Sequence, residues 1–106
     1  MDARQLAPLL PELDGELLLR AQAALDSGDA QRCARLLDAA ESRDQKWHFL
    51  RGEAHLALEE YAPAAECFLR AEESRKVYAR LEQCYRELED YKQAYFYACK
   101  QREVSL

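Results

Sequence analysis

The chain predicts an all-α fold of helical hairpins piled up in sequence order, and three observations carry that expectation. Ala, Leu, Glu, Arg and Gln dominate its 106 residues, and these are strong helix formers, whereas the β-branched residues reduce to two Val with no Ile and no Thr. Apolar residues recur at spacings of three and four, the period of a helix face. A turn signature also repeats: Tyr61-Ala62-Pro63-Ala64 and Tyr91-Lys92-Gln93-Ala94 stand 30 residues apart, each behind an acidic pair, and Gly28-Asp29-Ala30-Gln31-Arg32-Cys33 places Cys33 31 residues before Ala64. A helix pair of this size cannot bury its own apolar face, so repetition implies neighbours of the same shape on either side.

Taken in order, Leu6, Leu9, Leu10 and Leu13, bracketed by Pro8 and Pro11, suggest a cap segment over residues 1–13. A first helix starts near Pro11 to Asp14, with Asp14 suited to an N-cap, carries Leu17, Leu18, Ala21, Ala24 and Leu25, and stops at Ser27-Gly28. The second begins at Asp29, carries Cys33, Leu36, Leu37 and Ala40, and is expected to run to about Ser42 to Asp44, where Asp44 can cap the third. Helix three holds Trp47, Leu50, Ala54 and Leu58 with Phe49 and Leu56 displaced to another side. Apolar surface over so much of its circumference marks it as central. Helix four runs from Tyr61 to about Glu73, with Pro63 tolerated in the first turn. Ser74 caps helix five, about Arg75 to Leu88, whose Val77, Tyr78, Leu81, Cys84, Tyr85 and Leu88 form the clearest amphipathic stripe. Helix six, Tyr91 to about Arg102, is crowded with Tyr95, Phe96, Tyr97 and Cys99.

Residues 14–44, 45–74 and 75–106 then form three units, and they resemble the tetratricopeptide repeat family. The second unit matches best, with Gly52 on the family's glycine of the first helix, Tyr61 on the aromatic after the turn, and Ala64, Phe68 and Ala71 along the second helix. The third keeps Tyr78, Leu81, Tyr85, Tyr91 and Ala94; the first keeps Gly28-Asp29, Leu37 and Ala40. The units are shorter than the family's roughly 34 residues, and Arg20 and Arg51 stand where the family buries Leu. The resemblance implies six antiparallel helices in a right-handed superhelical stack and a protein-binding role, as an adaptor or in the manner of a co-chaperone. The stretch Trp47-His48-Phe49-Leu50-Arg51-Gly52 is also similar to the repeat tails of some bacterial J-domain proteins, although no His-Pro-Asp signature is present.

Composition narrows the function. Net charge is −5 with 20 acidic against 15 basic residues, and the basic ones are interleaved with acids, which argues against a nucleic-acid phosphate backbone as ligand. No run of 18 apolar residues offers a membrane span, and the Met-Asp start is not that of a basic signal peptide, so the expected compartment is the cytoplasm. One domain of this length buries about 60 to 70% of the unfolded chain's surface. Cys33, Cys67, Cys84 and Cys99 lack a Cys-x-x-Cys pair and are expected to be reduced packing residues. His48 and His55 lie two helical turns apart, too far to chelate together, and are expected to be structural. No nucleophile, base and orienting group can be assembled, and no glycine-rich phosphate loop is present. Neither an enzyme, a cofactor nor a metal is expected.

What remains is binding. By alignment to the family, the concave groove would be lined by Leu18, Gln22 and Leu25 from the first unit, Phe49, Glu53 and Leu56 from the second, and Ala79, Gln83 and Arg86 from the third. Apolar anchors at one end with Gln and Arg at the other suit an amphipathic helix or an extended peptide. The competing expectation for that surface is that Met1 to Glu12 folds over Leu18 and Phe49. The carboxylate clamp of chaperone-binding relatives is not expected, since the chain lacks asparagine altogether. An alternative role is assembly: Tyr95, Phe96, Tyr97 and Cys99 present more aromatic surface than one packed side needs, which suits a second copy or a longer stack, unless the rings cover the core with their hydroxyls in water.

Overall fold

The structure is a computed structural model that describes residues 11–104. The expected cap segment lies outside the described residues apart from its last three positions, which belong to the first helix. Among the described residues there are six α-helices and no strand: α1 Pro11–Asp26, α2 Ala30–Asp38, α3 Gln45–Ala57, α4 Tyr61–Arg70, α5 Arg75–Glu87 and α6 Tyr91–Val104. Each helix packs on its neighbours in the chain. Contact is most extensive within the pairs α1/α2, α3/α4 and α5/α6, smaller at α2/α3 and α4/α5, and α1 also reaches α3.

The three turns inside those pairs are built alike. Gly28, Glu59 and Glu89 all have positive φ, at 88°, 60° and 61°. In each turn that residue donates to the carbonyl three back: Gly28 to Leu25, Glu59 to Leu56 and Glu89 to Arg86, each at 3.0 Å. The next residue donates five back, Asp29 to Ala24, Glu60 to His55 and Asp90 to Tyr85, each at 2.8 Å. This is the Schellman closure, which satisfies carbonyls left over at a helix C-terminus and needs one left-handed residue. Only the first turn supplies glycine; a Cβ in that conformation costs about 1 to 2 kcal/mol at the other two. The closing acid then starts the next helix. Asp29 accepts from Arg32 N at 3.0 Å and Asp90 from Gln93 N at 3.3 Å, while Glu60, one methylene longer, makes no cap and reaches His55 Nδ1 at 2.8 Å.

The connections between pairs shorten two expected helices. α2 ends at Asp38 because Ala39 and Ala40 tighten to carbonyls three back, at 3.2 and 3.1 Å, and Ala40 enters the core. The following amides of Glu41 and Ser42 donate to the Asp14 carboxylate, at 3.0 and 2.9 Å. Asp14 is therefore a tie from the first turn of α1 to the α2–α3 connection, which corrects the expectation of an N-cap. α4 stops at Arg70 because Ala71 turns extended and buries its methyl. Asp44 and Ser74 cap α3 and α5 as expected, accepting from Trp47 N at 3.0 Å and Val77 N at 3.1 Å.

The interior consists of two apolar clusters that share α3. Ala21, Ala24, Cys33, Leu37 and Ala40 meet Trp47, Leu50 and Ala54 of α3 in the first. Ala64, Ala65, Phe68, Val77, Leu81 and Cys84 make the second, with Phe49 and Leu56 of α3 packed against it. Between them Gly52 lies so close to Phe68 that an added Cβ would come within 2.8 Å of the ring. Here glycine is required by approach, not by backbone conformation. Trp47 secures the first cluster by donating Nε1–H to Leu37 O at 2.7 Å, leaving no unpaired indole in the core.

Candidate functional site

Of the residues expected in a groove, the structure gathers Leu18, Gln22 and Phe49 around one depression of about 280 Å3, completed by Gly15, Leu19 and Lys46. Phe49 also walls a second, of about 280 Å3, with Val77, Ala71 and Ser74, and with Lys46, Lys76 and Glu72 among its polar lining. The ring thus stands as a ridge between α1 on one side and α5 on the other. It is held there edge-on to Phe68 at 5.7 Å, with Lys76 Nζ 5.3 Å from its centroid. Lys46 and Lys76 flank this ridge, both exposed, and the sequence reading did not single them out.

The remaining expected residues have other surroundings. Glu53 pairs with Arg80 Nε at 2.6 Å, and this half-buried pair ties α3 to α5. Leu25 and Leu56 are partly buried, Leu25 against the first cluster and Leu56 against the second, so their apolar surface largely serves the fold. Ala79 is half-buried and Gln83 exposed. Arg86 pairs with Glu82 one turn away on α5. Of the nine residues assigned by alignment, then, the three nearest the α1–α3 gap are brought together.

The aromatic residues of α6 separate by face. Tyr97 turns inward and stacks on Tyr85 at 5.8 Å, with Tyr78 at 6.0 Å. Tyr95 is 71% exposed and Phe96 48%. Cys99 is half-buried, and Tyr91, one turn before Tyr95, is exposed. Gln101 holds the inner face by donating to Glu82 of α5.

All four cysteines are free thiols. Cys33 and Cys84 lie wholly inside, where burial raises both pKa values: that of Cys84 is pushed up to about 11, with Glu53 adding to the effect, and that of Cys33 rises against the pull of Arg51. Burial raises Cys67 likewise. Thiols so protonated are poor nucleophiles at neutral pH. Among the described residues no three His, Cys, Asp or Glu side chains converge in a way that could hold a metal ion.

On the other flank of α3 the histidines stand among arginines. His48 packs edge-on to Trp47 at 5.0 Å, and its buried Nδ1 has no hydrogen-bond partner among the described residues. Its pKa is lowered by burial first and then by the nearby charges of Arg70 and Arg43, with Asp44 opposing. Arg51 spans to α2, donating through Nη1 to Ala34 O at 3.0 Å and pairing with Asp38 at 3.2 Å. The arginine in the expected leucine slot thereby joins two hairpins with its head in solvent reach. The sequence signal for this cluster was the 48, 51, 55 spacing on one side of α3.

No helix among the described residues is long and apolar enough to cross a membrane. Comparison of the chain with protein-family models, with curated proteins and with solved structures returns no match.

Proposed function

We propose that the chain is a protein-interaction module: a tetratricopeptide-like, right-handed stack of three helical hairpins that holds a short partner segment across α1, α3 and α5. The observation that carries the reading is Phe49, a half-buried ring standing between two largely apolar depressions, with Lys46 on the rim of both and Lys76 on the rim of the second. The recurrence of one closed turn at intervals of 31 and 30 residues supports the repeat architecture. The groove commits to an occupant. Apolar side chains three or four residues apart on an amphipathic helix fit on either side of Phe49, and carboxylates on the same segment meet Lys46 and Lys76.

The test is fluorescence anisotropy with labelled amphipathic peptides that differ only in carrying Glu or Lys beside their apolar anchors. The acidic series is expected to bind, with loss on Phe49→Glu. Because Phe49 also touches Phe68, the exposed change Lys46→Glu is the companion variant: it leaves the core untouched and is expected to weaken binding about fivefold or more. Equal binding of both peptide series, or indifference to Lys46→Glu, overturns the reading.

The exposed Tyr91, Tyr95 and Phe96 support a second role, self-association through the outer face of α6. Light scattering over rising concentration is expected to show a mass increase that Tyr95→Ser abolishes. A strict monomer throughout removes it.

A further inference from the structure

Opposite the groove, between α3 and α4, lies a depression of about 390 Å3 whose rim carries Arg43, His48, Arg51, His55, Arg70 and Glu66. Three guanidinium groups line it beside the single carboxylate of Glu66, and of the three only Arg51 is paired among the described residues, with Asp38 of α2, while Glu60 takes His55. More telling is what these donors lack. Arg43 lays its face on the Trp47 ring, 4.6 Å from the centroid, and has no carboxylate partner among the described residues. Arg70 likewise has none. Arg51 is fixed through Nη1, and among the described residues its Nε and Nη2 have no acceptor. His48 Nδ1 is buried and unpaired among the described residues, a state that costs free energy unless something completes it. Two of the groups are held in place before any ligand arrives, Arg51 by its backbone acceptor and Arg43 by stacking, so little side-chain freedom remains to be lost.

We propose that this pocket binds a phosphoryl group, as free phosphate or as a phosphomonoester on a peptide. A dianion with three or more oxygens matches three guanidiniums better than a single carboxylate does, since each planar fork takes an oxygen pair and the local excess of positive charge is neutralised. The imidazole of His48, once charged, adds a further donor. Around it the charged neighbours are Arg43 and Arg70, which disfavour its protonation, and Asp44, which favours it. A bound dianion reverses the balance of that field, so His48 reports on occupancy.

The test uses the intact chain and two readouts. Inorganic phosphate is titrated at constant ionic strength, with chloride as the matching salt, while amide resonances of α3 and α4 and the His48 ring signals are followed by NMR. Saturable shifts centred on Arg51, Cys67 and Arg70 are expected, with the His48 titration midpoint moving up in phosphate. Arg70→Gln, at an exposed position, is expected to weaken binding about tenfold and to cancel the His48 shift. Chloride reproducing the effect, no saturation, or an unchanged response in Arg70→Gln together with Arg43→Gln overturns the proposal. A phosphoserine peptide and its unmodified twin separate the sources. Phosphopeptide binding tighter than inorganic phosphate assigns the site to a modified partner; affinity no better than inorganic phosphate assigns it to the free ion; equal binding of the unmodified twin overturns it.

Discussion

Helices α3 and α6 both carry large apolar and aromatic side chains and use them in opposite ways. α3 gives Trp47, Leu50 and Ala54 to one cluster and Phe49 and Leu56 to the other, and its arginine reaches back to α2. α6 buries only Ala94 fully, turns Tyr97 inward, and leaves Tyr91, Tyr95 and Phe96 facing out. The contrast follows from the number of neighbours. A helix with partners on two flanks spends nearly every large side chain on the interior, whereas a helix with one flank occupied keeps the rest for solvent or for another molecule.

The largest effect is expected where α3 meets α4. Phe68→Ala empties the space beside Gly52 and should lower unfolding free energy by about 3 to 5 kcal/mol in urea titrations; Leu81→Ala in the same cluster should cost about 2 to 5. A change below about 1 kcal/mol for Phe68→Ala would mean that the Phe68 ring does not fill the interior beside Gly52. Gly52→Ala adds a methyl where the ring already stands and is expected to cost about 1 to 3 kcal/mol. The turns provide a finer comparison. Gly28→Ala should destabilise by about 1 kcal/mol, whereas Glu89→Gly, at the joint leading into α6, should be neutral or stabilising by up to about 1 kcal/mol, read from the same unfolding curves.

Acidification probes the half-buried His48 on α3. Since His48 has a folded-state pKa below its ordinary value of 6.5, the unfolded chain takes up its proton first, and this group's contribution to stability is complete above pH 6.5 and declines as pH falls below it. His48→Gln is expected to flatten that part of the stability profile in phosphate-free buffer. The smallest effect belongs to α6: Tyr95→Ser should change stability by less than about 0.5 kcal/mol while acting on any self-association. A large loss there would erase the distinction between the two helices.

Much of this architecture is written in local signals. The starts of α3 and α5 follow from Asp44 and Ser74, and the stripe Val77, Leu81, Cys84 faces inward as its spacing requires. The early end of α2 was not legible, because the Asp14 carboxylate that ties Glu41 and Ser42 comes from 27 and 28 residues away. The facing of α6 was hidden for a related reason: Tyr95, Phe96 and Tyr97 are consecutive aromatic residues, and only the positions of Tyr78 and Tyr85 on α5 decide which is taken in. Alignment to a repeat pattern named Leu18 and Phe49, which line one depression, but not Lys46 and Lys76 beside Phe49, since a surface lysine carries no periodic signature. Of the arginine pocket only the 48, 51, 55 spacing on α3 was local, since Arg43 and Arg70 come from the α2–α3 connection and from α4.

Nearly all the packing joins helices adjacent in the chain, with α1 against α3 the farthest substantial reach. Such topology has low contact order, so the search for native partners is short and the chain is expected to fold within microseconds to milliseconds. Assembly can proceed one hairpin at a time, and the last pair can open and close again while the middle of the molecule stays intact.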